Sequence, residues 1–138
     1  IPTEGLSPEQ AATAYEATLK RFYGADTLDP ARPLFDVTLL GIGENGHTAS
    51  LFPGQPVLQE IRRWVVAVIG TKSEPRITLT YPALDSSRDV VFVVTGRGKR
   101  HVVTRAQSGD RTIPAGLVRP VGRLHWFTDR AAAAEGAQ

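Results

Sequence analysis

Between Phe35 and Gly54 the chain reads FDVTLLGIGENGHTASLFPG, and this stretch limits what it can fold into more than any other. The run Val37-Thr38-Leu39-Leu40 is short, apolar and partly β-branched, which predicts a buried strand. The strand stops in a turn carrying Gly41, Gly43 and Gly46, and His47 follows at once. Glycines placed this way let backbone N–H groups come close to a ligand and admit φ values that other residues resist. A strand, a glycine turn and a titratable side chain are what an α/β protein uses to build a small-molecule site at the carboxyl ends of its strands. A plain strand–turn connection with an incidental surface histidine would show the same local pattern.

The rest of the chain alternates between strand and helix signals. Ser7 suits an N-cap, Pro8 the first helical position, and Gln10 completes a capping box. Ala11, Tyr15, Leu19 and Phe22 then fall on one helical face that ends at Gly24. Further strands are expected at 64–69, 77–80, 90–94 and 123–128. Helical segments are expected at 48–52, from near Pro82, over 99–106 and along the alanine run 131–134. The apolar strands near 36–40, 64–69 and 90–94 are expected side by side in the sheet core, covered on both faces. The fold class is therefore α/β: a mostly parallel sheet sandwiched by helices, Rossmann-like, as a single domain over residues 1–138. No internal repeat or low-complexity tract interrupts it.

Composition narrows the function. A length of 138 residues with 41% hydrophobic content supports one domain with a core of its own. No run of about 18 apolar residues predicts a membrane span. Cysteine is absent, which excludes disulfides and thiolate metal sites and makes a cytoplasmic setting the default. The net charge is only +2 and no basic run is interleaved with aromatics, so no nucleic-acid partner is expected. Methionine is also absent and the chain starts at Ile1, so it reads as the carboxyl-terminal part of something longer.

Four segments carry a resemblance. GIGENGHTASLFPG resembles the histidine signature of the 6-phosphogluconolactonases. Pro75-Arg76-Ile77-Thr78-Leu79-Thr80-Tyr81-Pro82-Ala83-Leu84 resembles that family's next signature. Val90 to Gly96 followed by Lys99-Arg100 is similar to its strand and glycine–lysine turn, and Leu124-His125-Trp126-Phe127-Thr128-Asp129-Arg130-Ala131-Ala132 to its last strand. The resemblance implies an incomplete three-layer αβα fold that opens 6-phosphoglucono-δ-lactone in the oxidative pentose phosphate pathway. No cofactor is expected, and no metal, since His101 and His125 make no ligand pattern with His47. The resemblance also implies an amino-terminal half that these residues lack, leaving that half or a homo-oligomer as the expected partner.

Lactone hydrolysis needs a group to move protons, donors for the carbonyl oxygen as it becomes negative, and cations for the phosphate. The resemblance assigns the acid/base role to His47, an imidazole whose ordinary pKa lies near 6.5. It assigns the sugar-phosphate contacts to Arg76 and Lys99, with Gly43, Asn45 and Gly46 lining the substrate. Asn45 departs from the aspartate that many family members carry. It offers an acceptor to the ring but no charge, so His47 should titrate lower than beside an aspartate. Glu44 is a candidate electrostatic substitute. Thr48 and Ser50 read equally as ligand contacts or as caps, Arg97 and Arg100 as surface charges, and His101 and His125 as structural. Two other readings stay open: a glucosamine-6-phosphate isomerase/deaminase, disfavoured because no acid follows His47 in Thr48-Ala49-Ser50-Leu51-Phe52-Pro53, and a non-catalytic sugar-phosphate-binding fragment.

Overall fold

In the computed structural model, which describes residues 1 and 3–133, Ser7 caps the first helix, α1 (Pro8–Tyr23). Its hydroxyl accepts the Gln10 N–H at 3.2 Å, and the Gln10 side chain accepts the Ser7 N–H at 2.9 Å. Gly24 ends the helix at φ 80, its N–H bonded to the Lys20 carbonyl. Ala11, Ala12, Leu19 and Tyr23 are buried, whereas Phe22 is 80% exposed. The i, i+4 row from Ala11 through Tyr15 and Leu19 reaches Tyr23 rather than Phe22, which corrects the expected face.

Six strand and helix segments follow α1 into the two sheets and their cover. They are β1 (Phe35–Leu40), β2 (Val65–Val68), β3 (Arg76–Leu79), α2 (Tyr81–Asp85), β4 (Ser87–Val94) and α3 (Arg100–Gln107), before a last strand, β5 (Arg123–Thr128). Short 3-10 turns lie at Pro56–Gln59, Arg97–Lys99 and Pro114–Leu117. The main sheet has the order β1-β4-β5, parallel throughout. The expected α/β class with a parallel sheet and flanking helices holds.

The 64–69 segment does not enter that sheet. β2 pairs antiparallel with β3, Val65 opposite Leu79 and Val68 opposite Arg76, in a separate hairpin. Only residues 69–75 connect them, while a parallel crossover needs about a dozen residues or more. The apolar run is buried against α1 instead: Trp64 and Val65 join Ala12, Leu19, Tyr23 and Ala83 in a second core. Trp64 meets Tyr23 edge-on with ring centroids 5.6 Å apart. The Glu16 carboxylate on α1 accepts the N–H groups of Trp64 and Val65, fixing where β2 starts. Residues 48–52 are not helical either; Thr48 and Leu51 form an isolated bridge around a tight turn. Residues 131–133 form a turn rather than the start of a helix, and the rest of the alanine run lies outside the described residues.

One face of the main sheet is well covered. Leu40, Val90, Phe92 and Val94 pack there with Leu51, Ile113 and Val118 and with Val102, Val103 and Ala106 of α3. Trp126 on β5 stacks on Phe92 at 4.2 Å. The opposite face carries Val37, Leu39, Val93 and Phe127, each more than half exposed. Strand alternation puts these four on one side, so this face of the sheet lies open among the described residues, whereas the sequence predicted cover on both faces.

Asp85, at the end of α2, holds the segment that leads into β5. Its Oδ1 accepts the Arg119 N–H at 2.8 Å and its backbone carbonyl accepts Val121 N–H. Burial pushes its carboxyl up to about 6 from 3.8, against the hydrogen bond and charge of Arg119. Between those values the folded state holds the proton more tightly than the unfolded chain does. This contribution therefore favours folding below the window and is lost as pH rises through it. Asp85→Asn keeps the acceptor and drops the charge. It is expected to exceed the parent in stability near pH 7.5 by about 1–3 kcal/mol and to lose that advantage near pH 4, read from urea melts at both values.

Candidate active site

The loop after β1 folds back on itself at the carboxyl end of the sheet. The Gly43 N–H donates to the His47 carbonyl at 2.8 Å and the Gly46 N–H to the Gly43 carbonyl at 2.9 Å. Thr48, 1% exposed, closes the loop by donating its hydroxyl to the Gly41 carbonyl. Thr48 therefore acts within the loop. Ala49 takes a left-handed φ of 49, a strained value for a residue with a β carbon, and Ser50 N–H then reaches the Thr78 hydroxyl on β3.

This path sets the His47 ring into a narrow slot. A β carbon on Gly43 would stand 2.1 Å from the ring atoms Cε1 and Nδ1, so only glycine leaves room. Phe52 stacks on the ring with centroids 4.5 Å apart. Asn45 Oδ1 lies 2.6 Å from Nδ1 and also accepts the His47 backbone N–H. A carbonyl oxygen only accepts, so Nδ1 carries the proton and Nε2 carries the lone pair. Desolvation lowers the His47 pKa first, followed by the charges of Lys72, Lys99 and Arg76. The imidazole is thus held neutral and basic at Nε2 near neutral pH.

Two arms of the fold brace the loop. Lys99, at the start of α3, donates its ammonium to the Ile42 carbonyl at 2.9 Å, and His101 Nε2 lies 3.1 Å from the Glu44 carbonyl. On the other side Ala115 N–H donates to the Gly46 carbonyl, with the Ile113 side chain filling the space beside that glycine. The Glu44 carboxylate turns toward Gly98, so the charges acting on His47 are all cationic. Arg76 begins β3; its guanidinium bonds Glu74 at 2.7 Å while its Nε is buried with no hydrogen-bond partner among the described residues. A cleft of about 320 Å³ beside Arg76 is lined by Ile1, Thr3, Leu6 and Ala11, and His47 is not part of it.

His47, Asn45, Gly43 and Gly46 therefore share one loop, Lys99 is tied to it, and Arg76 acts on the imidazole from the hairpin. Arg100 is not a plain surface charge, since it donates to the carbonyls of Ala131 and Arg130. His125 pairs with Asp89 on the open sheet face, away from the loop. Two neighbours of the imidazole, Phe52 and Lys72, fall outside the sequence-derived set. Lys72 sits alone in a polar, proline-ended loop, where a lysine carries no signal beyond solubility. Among the described residues no cluster of three or more His, Cys, Asp or Glu side chains is placed to hold a metal, and no helix is long and apolar enough to cross a membrane.

The profile of the family described as glucosamine-6-phosphate isomerases/6-phosphogluconolactonase matches residues 1–126. The 6-phosphogluconolactonase of Rattus norvegicus is 44% identical, the match covering 93% of this chain and 50% of that protein. The chloroplastic 6-phosphogluconolactonase 3 of Arabidopsis thaliana is 40% identical over 96% of this chain and 43% of its own length. The crystal structure of the Thermotoga maritima 6-phosphogluconolactonase superposes with a TM-score of 0.70 at 30% identity, over 89% of this chain and 52% of that one. The chain spans about half the length of the curated relatives it matches.

Proposed function

Because the chain belongs to the glucosamine-6-phosphate isomerase/6-phosphogluconolactonase family, we propose that it supplies the histidine-bearing half of a 6-phosphogluconolactonase, which hydrolyses 6-phosphoglucono-1,5-lactone to 6-phosphogluconate. The observation that carries this reading is the His47 ring, its Nδ1 proton given to Asn45 and its Nε2 left as a base, with three cations acting on it. In this reading Nε2 takes a proton from water as the water oxygen attacks C1. The tetrahedral adduct then breaks its bond to the ring oxygen, and the imidazolium returns the proton there. Water is the only co-reactant, so the chemistry calls for no redox cofactor.

Arg76 and Lys99 hold the 6-phosphate. The buried, unpartnered Nε of Arg76 supports this role, since a donor in that state gains most from an anionic acceptor. Gly43 and Gly46 serve by their lack of side chain, and Asn45 by orienting the ring. The enzyme acts in the cytoplasm, in the pentose phosphate pathway. The complementary half of the relatives' length covers the open sheet face around Val37, Leu39, Val93 and Phe127.

The deciding experiment measures acid release from freshly generated lactone and ammonia release from glucosamine 6-phosphate. It is run on the purified chain alone and with the amino-terminal half of a relative added. Lactone opening above the spontaneous rate supports the proposal. Ammonia release identifies a deaminase instead, and binding without turnover a sugar-phosphate-binding fragment. Asn45→Asp adds a finer check. A carboxylate on Nδ1 stabilises the imidazolium, so the His47 pKa rises and the acidic limb of the rate profile moves to higher pH. NMR titration of the His47 ring reads the same shift directly.

A further inference from the structure

The N–H groups of Gly43 and Gly46 are bonded within the loop, and that of His47 to Asn45, so these three amides are already engaged. Negative charge developing on a carbonyl oxygen near the imidazole calls for donors other than these three. Of the three cations that act on the ring, Lys99 is tethered to the Ile42 carbonyl and Arg76 to Glu74. Lys72 differs. Its ammonium lies over the Phe52 ring, 5.6 Å from the centroid, and Phe52 itself stacks on His47. No carboxylate stands within ion-pair distance of it among the described residues. An exposed ammonium held only by an aromatic face is held weakly, by about 0.5–1 kcal/mol, so an anion can draw it away. Through Phe52 the ammonium therefore stands on the His47 side of the hairpin loop, and its charge acts on the imidazole together with those of Lys99 and Arg76.

We propose that Lys72 contacts the substrate at C1, pairing with the carbonyl oxygen as it becomes negative and then with the product carboxylate, while Arg76 and Lys99 hold the phosphate. The inference rests on the lactonase reading. It makes Lys72 a catalytic residue on the hairpin loop between β2 and β3, opposite His47 on the loop after β1. The lysine stem has the length and freedom to follow the oxygen from trigonal to tetrahedral geometry.

The test compares two ligands that differ only at C1. 6-Phosphogluconate carries a carboxylate there, and glucitol 6-phosphate carries a neutral alcohol. Calorimetric titration of Lys72→Gln should show about tenfold weaker binding of 6-phosphogluconate and unchanged binding of glucitol 6-phosphate. Lys72→Arg should restore much of the difference. In turnover, Lys72→Gln should lower kcat about 10²-fold with little change in KM. Removing its charge leaves Arg76 and Lys99 facing the imidazole, with Asn45 neutral and Glu44 turned aside, so the acidic limb of the pH profile should also move upward. A merely structural loop residue would not produce that shift. Equal weakening of both ligands would place Lys72 at the phosphate and overturn the proposal, as would an unchanged kcat in an active parent. A parent that binds both ligands without opening lactone refutes the lactonase reading, while the ligand pair still decides where Lys72 acts. A parent that neither binds nor turns over refutes both.

Discussion

Gly43→Ala is expected to lower lactone opening by about 10²-fold or more while leaving the protein folded. The new β carbon would stand 2.1 Å from Cε1 and Nδ1 of His47, far inside any tolerated contact. Gly43 does not use a left-handed φ, so alanine's backbone is acceptable there and the loop can keep its path. The relief must come from the imidazole, which swings away from Asn45 and loses the 2.6 Å bond that fixes its tautomer. A displacement of about 1 Å at a reacting group commonly costs about 10²-fold in rate. Two measurements check the assignment together: kcat for the lactone, and the NMR signals of the His47 ring. Normal activity with an unmoved ring would show that the slot is looser than its geometry implies.

Local chemistry explains which parts were legible in the sequence. Ser7, Pro8, Gln10 and Gly24 specify α1 through bonds to residues three or four positions away, and those bonds are present. The strands of the parallel sheet were also readable, the first two from apolar runs closed by a turn and the last from polar and apolar residues interleaved over 123–128. The fate of residues 64–69 was not readable from periodicity. An apolar run that is buried in a sheet and one that is buried under α1 look alike, and the choice is made by Glu16, about fifty positions away, binding the amides of Trp64 and Val65. Residues 48–52 failed for a related reason. Thr48 is captured by the Gly41 carbonyl and Ala49 turns left-handed, so a helical turn has no room to start.

The site divides along the same line. His47 and Asn45 are two residues apart, and a short polar side chain beside a histidine in a glycine turn is a visible arrangement. Lys72 and Phe52 reach the ring through the hairpin and the tight turn, which no spacing in the chain announces. The direction of Glu44 belongs to the same class. Its neighbour in sequence is the site loop, yet its carboxylate lies against Gly98. Side chains that reach a site by tertiary packing rather than by adjacency are the ones a single sequence conceals.

His47→Ala is the largest effect expected, a loss of about 10²–10⁴-fold in lactone opening, the usual contribution of a positioned acid/base group. Affinity for 6-phosphogluconate should change little, because the anionic ends are held by Arg76, Lys99 and Lys72 rather than by the neutral ring. The rate must be corrected for spontaneous opening of the lactone, which otherwise hides a large loss. An unchanged corrected rate would falsify the acid/base assignment and leave His47 as a turn residue. The double variant Gly43→Ala, His47→Ala sharpens the argument. If Gly43 acts only by making room for the imidazole, its substitution has nothing left to disturb once the ring is gone. The double variant should then be no slower than His47→Ala, far from the product of the two single losses. A further loss in the double variant would mean that Gly43 also serves the substrate directly.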